Sequence, residues 1–326
     1  MNPIITDYLS KIEFGELKVF NNMAIFPLFT PIHDGPEYLT LGEALEKNLL
    51  TITEVSQSGS VPELKVQNRA TIPVLLLDGE ELAGAKQNRV LNTTILLKEN
   101  SETIIPVSCT EQGRWAYVSR VFRASGRLMN RDVRMRKVAS VSRSLRDNLT
   151  YYSSQGEVWD GIACFSQAAN VFSSTGAMKD VFDSKETDLK GYIEAFPYVA
   201  GQKGILVSVN GKVVGFDILS RSQAYERLHQ KIVESYAIDA SIHPSKVTGI
   251  PSLNESKSFL EAVAACQEHV FPSPGYGQDH RFEGEGMVGS SLVYQERVIH
   301  LAFFGRGGNE REEGMASSKR RRSFRT

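Results

Sequence analysis

Two short blocks crowd together side chains capable of chemistry: Leu77-Asp78-Gly79-Glu80-Glu81-Leu82-Ala83-Gly84-Ala85-Lys86-Gln87-Asn88-Arg89 and Cys109-Thr110-Glu111-Gln112-Gly113-Arg114-Trp115. Each follows an apolar run of strand character, Ile72 to Leu77 and Ile104 to Val107. A strand that delivers unlike polar groups to one end is how a scaffold builds a small-molecule site. Glu80 or Glu81 paired with Glu111 offers a carboxylate couple for acid–base work, for ribose hydroxyls, or for an oxocarbenium-like sugar centre. Neighbours on a strand point to opposite faces, so one of Glu80 and Glu81 is expected toward the pocket and the other toward solvent. Arg89 and Arg114 can fork onto a pyrophosphate. Trp115 can stack on a base, and Gln87, Asn88 and Gln112 add amides. The competing reading is that these Arg and Glu residues pair with one another and staple the strands.

Other residues invite weaker assignments. Cys109 lies near Glu111 and Arg114, but a nucleophilic thiol needs a base or cation to lower its pKa, and no histidine is near in sequence. Buried cysteine is commonly a plain small apolar residue. Gly284-Glu285-Gly286-Met287-Val288-Gly289 matches G-x-G-x-x-G but precedes a strand, so a Rossmann turn is rejected and only a looser phosphate-approach loop stays open. Asp279, Glu283 and His300 are candidate ligands for a divalent metal, against loop hydrogen bonds and a satisfied core histidine. No cofactor is otherwise identified. From Arg114 to Arg146 the chain carries nine Arg and one Lys against one Asp. That stretch lacks the repeated aromatic interleaving of single-strand binders. A solvated helix face is favoured over nucleic acid, with Arg134 and Lys137 as secondary phosphate contacts.

The two blocks, read with Ile105-Pro106-Val107-Ser108-Cys109, resemble the ARG and Rhodanese-Phosphatase-superfamily-associated protein family. Further matches are Gly156-Glu157-Val158-Trp159, Ser174-Thr175-Gly176-Ala177-Met178, Gln202-Lys203-Gly204, and Gly289-Ser290-Ser291-Leu292 with Ile299-His300-Leu301. The resemblance spans roughly Leu17 to Phe304. It implies a place in NAD and ADP-ribose metabolism, through the family's association with ADP-ribosylglycohydrolase-type domains, and carries over no reaction. The expected function is binding, with hydrolysis, of an ADP-ribose-like or related nucleotide ligand, with Glu80, Glu81 or Glu111 as catalytic carboxylates. The alternatives are a non-catalytic nucleotide sensor and a nucleic-acid-associated module.

The elements that would hold these residues are legible from periodicity. Short strands are expected at Leu17 to Phe20, Met23 to Thr30, Leu64 to Gln67, Ile72 to Leu77, Leu91 to Leu97 and Thr103 to Val107. A helix capped by Thr40, with Glu43 three residues on, interrupts them. From Asp132 the period turns helical, with Val133, Lys137, Val141 and Leu145 on one stripe. Helices follow from Ser154, burying Val158, Ile162, Phe165 and Ala169, then over Met178 to Phe196, Arg221 to Ala237 and Asn254 to Val270. Asn210-Gly211 marks a hairpin between Gly204 to Val209 and Lys212 to Ile218. Ser290 to Tyr294 and Val298 to Phe304 form a last strand pair. The fold class is α+β, a β-rich N-terminal half packed against a helical C-terminal half carrying hairpins. The division is 1–118, bearing the site, 119–304, and a disordered basic tail at 305–326.

Composition sets the outer bounds. The 326 residues carry a net charge of −1, 41% hydrophobic and 23% charged residues, as in globular domains. Three cysteines without paired spacing argue for a reducing compartment, so the protein is expected in the cytoplasm. No apolar run reaches membrane-spanning length. Oligomeric state is open.

Overall fold

The computed structural model describes residues 1–244 and 251–305. The expected basic tail lies outside the described residues. The fold is α+β, as the periodicity implies. A nine-stranded antiparallel sheet forms the larger body, and strands from both sides of residue 118 build it. Met23–Phe29 pairs with Gly204–Val209, and Lys212–Leu219 pairs with Arg297–Gly305. Alternation along these strands covers both faces. Phe26, Leu28, Phe216, Ile218 and Phe303 pack under the helices Pro3–Ser10 and Leu253–Ala264. Met23, Ile25, Ile205, Val207 and Phe304 pack the opposite way, in the cluster shared with Arg131–Asn148 and Ser222–Ile242.

Six further strands, in the order Phe122–Leu128, Glu80–Gly84, Arg89–Leu91, Ser101–Cys109, Glu63–Asn68 and Leu50–Glu54, form a second antiparallel sheet. Its two outer strands approach each other, so the sheet curls into a small barrel. Ile52, Leu64, Val66, Leu82, Ile105 and Phe122 belong to the core that fills it. A three-stranded sheet of Leu39–Thr40, Val74–Leu76 and Ile95–Leu97 stands beside it.

Local chemistry explains most elements. Thr40 and Glu43 form a complete capping box on the helix Leu41–Glu46. Asn210 and Gly211 both take positive φ, 51° and 77°, as a two-residue hairpin of this hand demands. Gln295 and Glu296 do the same at 49° and 56° without a glycine. The expected helix over 178–196 divides into Met178–Ser184 and Glu186–Ala195. The helix expected to reach Val270 stops at Ala264, and Gln267–Pro272 is the edge strand of the large sheet. Edge position explains the missing alternation there, since among the described residues the strand pairs only with Gln278–Gly284.

The helix Arg131–Asn148 joins the two bodies through charge. Arg134, Lys137, Asp78 and Asp217 are each at most 1% exposed. Arg134 donates to Asp78 at 3.0 Å and to both oxygens of Asp217 at 3.1 and 2.8 Å. Lys137 donates to Asp78 and to the carbonyl of Leu91 at 2.8 Å. Tyr236 donates to Asp217 at 2.8 Å, and His300 Nε2 lies 3.3 Å from it. Two cations against two carboxylates balance the charge of this cluster. The expected role of Arg134 and Lys137 as phosphate contacts is therefore corrected: each spends its donors inside the core. Burial pushes the Lys137 amine down to about 8, against the pull of Asp78. Burial also pushes the Asp217 carboxyl up, but Arg134 and His300 outweigh it and hold it below the usual range.

Candidate functional site

The two polar blocks meet at one end of the small barrel. Leu50–Glu54, Glu80–Gly84 and Ser101–Cys109 end there, and Arg89–Leu91 begins there. Arg89 is paired in register with Leu82 and Cys109, so its side chain shares their face, the barrel interior. The guanidinium is fully buried. One nitrogen donates to the carbonyl and side-chain oxygens of Gln87 at 3.3 and 3.1 Å. Nε and Nη2 have no hydrogen-bond acceptor among the described residues. The nearest carboxylate oxygen, on Glu54, is 3.8 Å from Nη2, beyond hydrogen-bond reach. Glu54 is itself buried, and its Oε2 also lacks a partner.

Trp115, 48% exposed, covers this pair. Its ring centroid lies 5.6 Å from the Arg89 guanidinium and 5.2 Å from the Lys86 amine. Lys86 also lies 5.0 Å from the ring of Tyr117 and donates to the Ser58 carbonyl at 2.6 Å. With two cations already against it, Trp115 acts here as a cap on Arg89 rather than as an open stacking face.

Arg114 does something different from what a phosphate clamp requires. It donates to both oxygens of Glu111 at 2.9 and 2.5 Å, to the carbonyls of Ala85 and Ala116 at 2.8 and 3.0 Å, and to Asn88 Oδ1 at 3.2 Å. Those contacts tie the 110–118 loop to the 85–88 turn. Gly84 permits the turn: its φ is 123°, and a Cβ there would lie 2.6 Å from Ser119 Oγ. Gly113 permits the loop's contact with Thr175, whose Cα would lie 3.0 Å from an added Cβ. At Arg114 and Glu111 the stapling alternative prevails.

The three expected carboxylates separate. Glu80 accepts from Lys231 at 2.9 Å and from the Leu77 N–H at 3.0 Å, away from the barrel mouth. Glu81 accepts from Thr110 Oγ1 at 2.7 Å through one oxygen, and its other oxygen has no partner. Both are 1% exposed, which corrects the expectation that one faces solvent. That strand pairs with Phe122–Leu128, on which Met178–Ser184 and Ser222–Ile242 pack, and Lys231 of the longer helix reaches Glu80. Burial pushes the Glu81 carboxyl up to about 7, against the Thr110 hydrogen bond. Burial also raises Glu111, but the Arg114 and Asn88 hydrogen bonds outweigh it and keep it below the usual range. Cys109 is buried, and its thiol is pushed up to about 11 despite Arg89 nearby, so the nucleophile reading loses its chemical basis.

The metal candidates do not converge. Asp279 is taken by Arg281 and accepts from Thr93 at 2.5 Å. Glu283 pairs with Arg146, and His300 sits between Thr94 and Asp217. No group of three or more His, Cys, Asp and Glu residues suited to a metal occurs among the described residues. Gly284 to Gly289 is a hairpin between paired strands, and its glycines admit Cys266 and Phe303 against the sheet.

The model of the ARG and Rhodanese-Phosphatase-superfamily-associated Protein domain matches residues 11–304. The chain belongs to this family. No curated protein and no solved structure gives a match. The family domain thus takes in both the curled barrel and the large sheet.

Within the family domain, the second polar block also borders a groove. Gln112, Trp159 and Gly176 line it, one from each of three motifs far apart in sequence. Gln112 and Arg89 are linked, since Gln87 donates to the Gln112 carbonyl at 3.4 Å and accepts from Arg89 at 3.1 Å. Sequence reasoning missed Glu54 and Trp159. Glu54 ends a strand whose alternation, Leu50, Ile52 and Glu54 inward, marks it as buried, and that pattern could have found it.

Proposed function

We propose that this chain binds an anionic, nucleotide-type ligand of the ADP-ribose kind at the barrel mouth. The observation that carries the reading is the buried Arg89, with two N–H positions lacking acceptors. A buried, incompletely paired charge is costly and calls for a counter-group. A pyrophosphate or phosphate supplies two oxygens to such a fork. Lys86 adds a second cation beside it, and Trp115 is the side chain that must shift to admit the anion. Gln87 and Asn88 hold the turn, and Arg114 with Glu111 keeps the loop in place. The resemblance supports an ADP-ribose setting for the ligand through the family's association with ADP-ribosylglycohydrolase-type domains.

Hydrolysis is a second reading, favoured by one carboxyl. Glu81 has an oxygen without a partner and an ionisation near neutral pH, as a general acid or base needs, but its register opposite Val90 sets it on the face of the strand away from Leu82 and Arg89, so the ligand would have to reach round the strand. Glu80 and Glu111 are held in ion pairs. Binding alone, as in a sensor, needs none of the three. The nucleic-acid reading is disfavoured by pairing: Arg114, Arg127, Arg131, Arg134, Arg143 and Arg146 all meet carboxylates. Among the described residues no helix is long and apolar enough to cross a membrane. The three cysteines are free, which fits the cytoplasm.

The chain has two tryptophans, so Trp159→Phe leaves Trp115 as the sole indole. Titrating that variant with ADP-ribose, ADP and pyrophosphate should give a saturable change in emission. Emission unmoved by all three, in a folded protein, would remove the barrel mouth as an anion site.

A further inference from the structure

A groove of about 290 Å³ runs along the helix Gln155–Ala168. Its walls are apolar, from Trp159, Ile162, Val171 and Phe172, and Gln112 and Gln167 stand among its polar groups. Its volume is at the lower end of small-molecule sites, which begin at roughly 300 Å³, and suits one ring system rather than a whole dinucleotide. The Trp159 indole N–H is out of solvent and has no acceptor. A buried donor left in that state is a group waiting for a partner. Phe172 is 93% exposed, a large apolar ring held in water. Ser166 and Ser173 are already spent, donating to the Val171 carbonyl at 2.7 Å and to Asp180 at 2.6 Å. The hydrogen-bonding side chains open to an occupant are the exposed Gln112 and Gln167 amides, and the indole N–H comes within reach once its ring turns.

We infer that this groove is the base-binding half of the site: it takes a planar nitrogen heterocycle of purine size against Trp159 and Phe172. A ring nitrogen accepts from the Trp159 N–H once the indole turns that edge into the groove, and the Gln112 amide, which can both donate and accept, meets the edge of the ring. The choice of ring rests on the nucleotide reading given above. Two features tie the halves together. Gln112 belongs to the loop that Arg114 fastens over the 85–88 turn, and Gln87 bridges its carbonyl to Arg89. The inference also relieves Trp115 of the stacking role that its two cation contacts already oppose.

Trp115→Phe leaves Trp159 as the only tryptophan, and adenosine carries no phosphate. Adenosine should shift or quench the Trp159 emission saturably. Ala163 lines the groove from an exposed helical position, so Ala163→Phe fills the groove without disturbing the core. That variant, at unchanged melting temperature, should bind adenosine at least tenfold more weakly. No response to adenosine, while ADP-ribose still perturbs Trp115 in Trp159→Phe, overturns the groove inference and leaves the anion site standing. A Trp159 response to adenosine, with Trp115 in Trp159→Phe unmoved by ADP-ribose and pyrophosphate, supports the groove and counts against the anion site. Trp159 emission that follows protein concentration instead of adenosine shows a second copy of the chain in the groove, and overturns the inference.

Discussion

Arg114→Lys keeps the charge and removes the fork, and its consequence follows from the contacts. The guanidinium holds Glu111 through both oxygens and reaches two carbonyls and Asn88 on the far side. A lysine amine can follow Glu111 but cannot reach the Ala85 and Ala116 carbonyls as well, because its three donors leave one point. Ala116 is exposed and its carbonyl rehydrates, and the buried Ala85 carbonyl keeps the Val118 N–H at 3.0 Å, so the loss is that of charge-assisted hydrogen bonds, about 1.5–3 kcal/mol. At roughly 2–4 °C per kcal/mol for a domain of this order, the melting temperature should fall by several degrees. Calorimetry measures the fall, and titration of the folded variant with ADP-ribose measures the affinity, which should change little. An affinity drop of tenfold or more at unchanged melting temperature would refute the stapling role and return Arg114 to the ligand.

Three further outcomes are expected. Glu81 ionises at about 7 when folded and at an ordinary carboxylate value when unfolded, so the folded state binds the extra proton between those values. Its contribution is fully present below the unfolded value and is lost as pH rises toward 7, by on the order of 3 kcal/mol. Glu81→Gln should flatten the fall in melting temperature over that range, and an unchanged profile would show that another group causes it. Asp217→Asn leaves Arg134 short of a counter-charge in the core, and chemical denaturation should show a loss of about 3–5 kcal/mol; a loss below about 1 kcal/mol would mean that the network rearranges. A thiol reagent should react with exposed Cys164 first, and with Cys109 and Cys266 only on unfolding; rapid labelling of Cys109 in the folded protein would contradict its raised pKa.

Local chemistry wrote much of this fold plainly into the sequence. The Thr40–Glu43 capping box and the Asn210-Gly211 turn depend on near neighbours, and both form. The stripe of Val133, Lys137, Val141 and Leu145 is buried throughout. Lys137 on that stripe already signalled a buried charge, but its partner Asp78 lies 59 residues away and has no local signature. The curled sheet was illegible for the same reason, since pairing of Phe122–Leu128 with Glu80–Gly84 is a long-range event. Part of the site was legible as composition. Crowding of Glu, Gln, Asn and Arg marked two loops that the fold brings together, but it could not tell the staple, Arg114, from the group with open donors, Arg89. That distinction depends on which acceptors the fold brings within 3 Å or so, and the nearness of Glu54 to Arg89 and of Trp159 to Gln112 appears only in the tertiary structure.

The central claim is that Arg89 awaits an anion, and Glu54→Gln tests it most directly. Glu54 is the carboxylate nearest the open side of Arg89, at 3.8 Å, and it competes with any ligand phosphate for the same charge. Removing its charge should lower the stability of the free protein and raise its affinity for ADP-ribose or pyrophosphate. At an effective dielectric near 20 the removed repulsion is worth at least about 1.4 kcal/mol, or roughly tenfold in Kd. Isothermal titration of the wild type and Glu54→Gln with ADP-ribose reads this out. Tighter binding to the variant is the predicted result. Binding that is unchanged, weaker or absent in a folded Glu54→Gln protein would contradict the account.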